Sequence, residues 1–233
     1  MILERRKFLG QICKTTLTVV GGFVVAINNA HAADDDEEGE GDIGPLEDLM
    51  REHGVLRRVL LIYEEGLHRI ATRQDFPGTP FLVGAQLIRK FIEDYHEKNE
   101  EKFIFPKLQN SIGEARHDVP ILLRQHQAGR TITDSIIRVS TENAKDNRLV
   151  DLVPQFIRMY RPHAAREDTV VFPAFHKAIG EKQLDEIGEQ MEKQEQKLFG
   201  EGGFAKIVEA VAEEERALGI YELDRFTPVP EKD

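Results

Sequence analysis

The stretch His96-Glu97-Lys98-Asn99-Glu100-Glu101-Lys102-Phe103-Ile104-Phe105-Pro106 is matched by His163-Ala164-Ala165-Arg166-Glu167-Asp168-Thr169-Val170-Val171-Phe172-Pro173. Both read His-x-x-x-Glu-acid-x-x-x-Phe-Pro, and both lie in helix-forming sequence. On a helix, residues four apart share a face, so each copy aims an imidazole and a carboxylate at one point. Two such pairs facing each other inside a helical bundle form a set of metal ligands.

Outward from the repeat, the body of the chain reads as helix throughout. No segment alternates with period two, tryptophan is absent, and Leu, Glu, Lys, Arg, Gln and Ala dominate. The apolar periodicity predicts helices over about 45–72, 81–110, 119–143 and 149–178, with Pro77-Gly78-Thr79-Pro80, Gly113 and Asn143-Ala144-Lys145-Asp146-Asn147 as the breaks. A fifth, charged helix is expected over about 182–218, interrupted at Gly200, Gly202 and Gly203. The expected fold is all-α: an antiparallel up-down four-helix bundle over 45–180 plus an additional C-terminal helix and loose tail over 181–233.

The N-terminus reads as a targeting segment. Glu4-Arg5-Arg6-Lys7-Phe8-Leu9-Gly10 resembles a twin-arginine export motif, a short apolar run follows through Val19 to Ala26, and Ala30-His31-Ala32 has the form of a cleavage site. Residues 1–32 are therefore expected to be a signal peptide handled by the twin-arginine machinery, with the mature protein in the periplasm. Gly21-Gly22 and Asn28-Asn29 break up the apolar run, which argues against a stable membrane anchor. The acidic stretch within 33–44 reads as a solvated linker.

The formal net charge is −11, and the leader carries four basic residues against one acid, so cleavage leaves the chain more acidic still. Such a chain is a poor nucleic-acid partner, because phosphates need basic patches. Cleavage also removes Cys13, the only cysteine, so any metal must be held by nitrogen and oxygen.

Seven histidines remain. Four of them, His53, His96, His126 and His163, fall one per helix near mid-helix, at similar depth in an antiparallel bundle. With Glu100 and Glu167 they make four imidazoles and two carboxylates, a set suited to two borderline metal ions. Taken singly, His53 or His126 reads as well as a partly buried polar residue. The doubled motif is what favours ligation. Glu101 and Asp168 are either alternative ligands or acids that hydrogen-bond the imidazoles. Tyr95 and Tyr160, within a turn of the ligands, are donors to the site or core. Phe105-Pro106 and Phe172-Pro173 read as structural, closing the bundle beyond the metals, and Pro162 is expected to bend the fourth helix. His68, His117 and His176 lie near helix ends and read as exposed.

From about Leu46 to Ala178 the pattern resembles the hemerythrin-like family of histidine–histidine–glutamate (HHE) cation-binding domains. The resemblance implies a four-helix bundle holding a non-haem di-iron centre, with His53, His96, His126 and His163 as terminal ligands and Glu100 and Glu167 bridging. Iron over manganese or zinc rests on this resemblance alone. Oxygen carriers of the family place a second histidine on the third helix, where this chain has Leu122 and Arg130 four residues either side of His126. The four-His, two-Glu pattern is closer to the bacterial branch that handles nitric oxide and iron–sulfur repair. It implies uptake of dioxygen, nitric oxide or peroxide at open iron positions, with reduction as a further step and an external electron donor. The alternative is iron storage, delivery or sensing without turnover.

Overall fold

The computed structural model describes residues 44–109 and 113–229, so the leader and the acidic linker up to residue 43 lie outside the described residues. Helix α1 spans Pro45–Ala71, with Pro45 at its first position and Glu47 and Asp48 in its first turn, where acids face the positive end of the helix. The segments Thr79–Leu87, Ile88–His96, Glu97–Asn99, Glu100–Ile104 and Phe105–Leu108 run on without a break as α2. Helix α3 spans Glu114–Glu142, and Arg148–Arg166, Glu167–Val171 and Phe172–Ala178 together make α4. Two further helices, α5 (Glu181–Phe199) and α6 (Gly203–Ala217), follow.

The all-α bundle is as expected. Each of the first four helices packs on the next, and α4 returns to α1. Two boundaries differ from the sequence reading. Helix α3 starts about a turn earlier, at Glu114, and carries Pro120 inside it. The single C-terminal helix is in fact two, because Gly200 and Gly202 take φ of 74° and 66°, a left-handed turn that glycine tolerates. The α5–α6 hairpin lies along α1. Leu184, Ile187 and Met191 join one apolar cluster, Ile207 and Val211 the other, and Arg58 of α1 grips Glu215 through two hydrogen bonds of 2.9 and 2.5 Å.

Pro162 does not mark the irregularity of the bundle, since it lies inside regular α-helix. The irregular turns are π-helical, and two of them begin at the glutamates of the repeat, over Glu100–Ile104 and Glu167–Val171. In each, the N–H of the phenylalanine before the proline reaches back five residues, Phe105 to the Glu100 carbonyl and Phe172 to the Glu167 carbonyl. The cause is the proline that follows. Pro106 and Pro173 cannot donate, and their rings clash with the carbonyl four residues back, so the turn before each widens. Helix α2 has an additional π segment, Ile88–His96, with no counterpart in α4. That segment is where the two arms differ.

The core falls into two apolar clusters. One holds Tyr63, Phe81, Phe91, Phe156 and their neighbours, and the other Phe105, Leu108, Leu122, Phe172 and Phe175. In every helix of the bundle the chain passes from one cluster to the other through a buried polar layer: Glu52 and His53, His96 to Glu100, His126, and His163 to Glu167.

Gly129 lies in this region of α3 because Tyr160 of α4 needs the space. A Cβ there would meet the Tyr160 hydroxyl and come within 2.8 and 2.9 Å of its ring carbons. Alanine would improve helix propensity by about 1 kcal/mol. The fully buried tyrosine cannot yield, so Gly129→Ala is expected to destabilise the protein, with an overpacking cost toward the upper end of about 1–3 kcal/mol. Thermal unfolding of the variant checks this, and a raised midpoint would contradict it.

Candidate metal centre

The polar layer brings all six sequence candidates together. His53 Nε2 lies 3.0 Å from His96 Nε2, and His126 Nε2 lies 3.2 Å from His163 Nε2. The imidazoles thus form two pairs. Glu100 spans them, with Oε1 3.5 Å from His96 Nε2 and Oε2 3.5 Å from His126 Nε2. Glu167 spans them from the opposite side, with Oε2 3.1 Å from His163 Nε2 and 3.4 Å from His53 Nε2, and Oε1 3.9 Å from His126 Nε2. Two ligand groups emerge, His53–His96–Glu100 and Glu100–His126–His163–Glu167.

All four imidazoles are held from behind. His53 Nδ1 donates to Asp168 at 2.6 Å, His96 Nδ1 to Glu52 at 2.8 Å, His126 Nδ1 to Glu101 at 3.1 Å and His163 Nδ1 to Gln125 at 2.9 Å. Once the inward proton is lost, the remaining proton sits on Nδ1 and each Nε2 turns its lone pair inward, the tautomer a metal needs. The supports form a closed ring: α1 braces the histidine of α2, α2 that of α3, α3 that of α4, and α4 that of α1. Each supporting residue neighbours a ligand in sequence, and a step of one residue turns about 100° round the helix, toward the next one. Glu101 and Asp168 are therefore braces. Glu52 and Gln125, which the sequence reading passed over, are their counterparts, and the signal for them was adjacency to His53 and His126. Gln125→Ala is expected to weaken metal binding by about 10–100-fold, the range for such supporting contacts, with helix content unchanged. Competition against a chelator measures this, and an unaltered affinity would contradict it.

The electrostatics of the layer are those of a cation site. All four carboxylate oxygens of Glu100 and Glu167 are buried with no hydrogen-bond partner. Orphaned buried carboxylates are costly unless a positive charge meets them. In the metal-free protein His96 and His126, one from each pair, supply that charge. Burial by itself would push them down, but Glu100 and Glu101 hold His126 up to about 10, and Glu100 and Glu52 hold His96 well above its usual range. Burial would likewise push Glu100 up, and His96 and His126 instead hold it well below the usual carboxylate range. Four inward nitrogens and four uncommitted oxygens fit two divalent ions in place of those protons.

On one side of the layer, Phe172 stacks on His53 and Phe105 on His126, with centroids 5.6 and 5.5 Å apart, so the Phe-Pro residues do close the bundle there. On the other side the neighbours are polar. Arg130 bonds Glu97 at 2.6 Å and Glu101 at 2.8 Å, and the Tyr160 hydroxyl donates to Glu97 at 2.6 Å. The positions where a fifth histidine would stand on α3 are thus otherwise engaged, Arg130 by these acids and Leu122 by the apolar cluster. Tyr160 reaches the layer through its hydroxyl, and the rings of both Tyr160 and Tyr95 belong to the core. His68, His117 and His176 are exposed, as expected.

The fold and this cluster define a metal-binding helical bundle. Residues 44–175 match the model of the hemerythrin HHE cation-binding domain, and the chain belongs to that family. It is 43% identical over 197 residues to uncharacterized proteins of Mycobacterium tuberculosis and Mycobacterium bovis, with 82% of this chain and 76% of each relative covered. No solved structure gives a significant match.

Proposed function

We propose that this is an exported non-haem di-iron protein that takes up a small molecule, dioxygen, nitric oxide or peroxide, at its buried centre. The observation that carries the reading is the pairing of four lone-pair-inward imidazoles with two orphaned carboxylates that each span both pairs. His53 and His96 would hold one ion, His126 and His163 the other, with Glu100 and Glu167 shared between them. Iron held there would supply a redox-active pair with coordination positions that six side chains leave unfilled, which makes reduction of the bound molecule an available step. The protein's part is to fix the ligands through the four braces, to keep water out on the side of Phe105 and Phe172, and to hold compensating negative charge. Export rests on the leader read in residues 1–32, and the electron donor is external to the chain.

Rapid mixing of the reduced, iron-loaded protein with nitric oxide, dioxygen and peroxide in turn tests the reading. The expected result is a change in the visible spectrum that saturates at a fixed ratio of ligand to protein, with the iron retained. Silent spectra, with iron passing freely to a chelator, would replace it with the storage or delivery reading.

A further inference from the structure

Between α1 and α4 the surface opens into a cleft of about 240 Å³. Its floor is Leu56, Leu60, Tyr160 and Ala164, all buried, and Arg57, Leu61 and Arg161 stand at its rim. The floor lies directly against the polar layer. Leu56 is one turn beyond His53 on the same face of α1, Ala164 follows His163, and the Tyr160 ring sits edge-on to the His163 imidazole with centroids 5.3 Å apart. A single layer of side chains thus separates the cleft from the histidines. Among the described residues, three other approaches are covered: one by the stacked Phe105 and Phe172, one by α6 along α1 and α2, and one by the Arg130–Glu97–Glu101 cluster between α2 and α3.

The chemistry of the cleft selects its occupant. Both rim guanidiniums are committed, Arg57 to Asp168 and Arg161 to Glu64, so the mouth offers no uncompensated charge to an anion. The Tyr160 hydroxyl is directed away, onto Glu97 and into the space left by Gly129, and the floor therefore presents carbon. Enclosed apolar cavities take up small apolar molecules, xenon included, and a cleft floored by carbon offers them contacts of the same chemistry. A peroxide would give up its hydrogen bonds to water there without replacing them.

We propose that this cleft is the entrance to the metal centre for a small, uncharged, apolar molecule of the diatomic class, and that Leu56 and Ala164 set its rate of passage. This rests on the reading that the centre takes up a small molecule, and it narrows that reading to diatomics over peroxide.

Two measurements on the full chain separate the proposal from its premise. In the metal-free protein, xenon is expected to shift the methyl resonances of Leu56 and Leu60, and Ala164→Leu, which fills the cleft, is expected to abolish those shifts. In the reduced, iron-loaded protein, Ala164→Leu is expected to slow association of nitric oxide by about tenfold or more, within the range that rates span among variants of one site. Peroxide should be much less affected, and iron content should not change. Leu61→Phe, which narrows the mouth from the rim, should act in the same direction if Ala164→Leu fails to fold. Xenon shifts elsewhere in the protein, or a nitric oxide rate indifferent to both variants, would overturn the proposal. Equal slowing of peroxide would overturn its assignment of ligand class. A wild-type protein that binds xenon in the cleft yet never reacts with nitric oxide, dioxygen or peroxide would instead count against the functional reading.

Discussion

The double variant Glu100→Gln with Glu167→Gln is expected to lose metal binding almost completely. Glutamine keeps the shape of each side chain but removes the charge, leaving an amide, a much weaker ligand. Both carboxylates span the two histidine pairs, so each ion loses two of its contacts at once. The loss should exceed the roughly 10–100-fold expected from removing one brace. Helix content should survive, because the apolar clusters on either side of the polar layer are untouched. The rise in unfolding temperature that metal brings to the wild type should vanish, since only a ligand that binds the folded state stabilises it. Metal retained at wild-type affinity would show that the two glutamates are not ligands.

Metal-loaded and metal-free protein are expected to respond differently to pH. In the metal-free protein His126 is held at about 10, above its ordinary 6.5, because Glu100 and Glu101 outweigh the effect of burial. A histidine raised in this way stabilises the fold fully below about pH 6.5, and its contribution is lost as pH climbs through about 10. Glu100 and Glu167, held below their usual range by the histidines, contribute above about pH 4.5, and that contribution is lost as pH falls. Metal-free stability should therefore fall away on both sides. Metal must displace the imidazole protons, so its affinity should rise by about tenfold per pH unit for each proton displaced as pH increases from 6 to 8. Titration of metal into weakly buffered protein with an indicator dye should register protons released with every ion bound. Binding without proton release would contradict the account.

The sequence made the bundle and the six candidates legible because both rest on local pattern. The apolar periodicity gave the helices, and the four-residue spacing in the doubled motif placed His96 with Glu100 and His163 with Glu167 before any contact was known. What stayed hidden depends on neighbours distant in the chain. The pairing of His53 with His96 and of His126 with His163 is a property of the assembled bundle, as is the service of Glu52 to His96 and Gln125 to His163. Apart from its adjacency to His53, nothing local marks Glu52 as one of the acids the bundle buries. The widened turns at Glu100 and Glu167 were half visible: Pro106 and Pro173 announced a break in the ladder, but not that it would begin at the bridging candidates. Pro162 drew attention for the same reason and proved to sit in regular helix. Gly129 carried no signal until Tyr160 was seen against it.

Elemental analysis of the full chain, loaded with iron under anaerobic conditions and freed of excess metal, tests the central claim most directly. Four imidazoles and two shared carboxylates predict close to two irons per chain; fewer than one would contradict a centre built from these six residues.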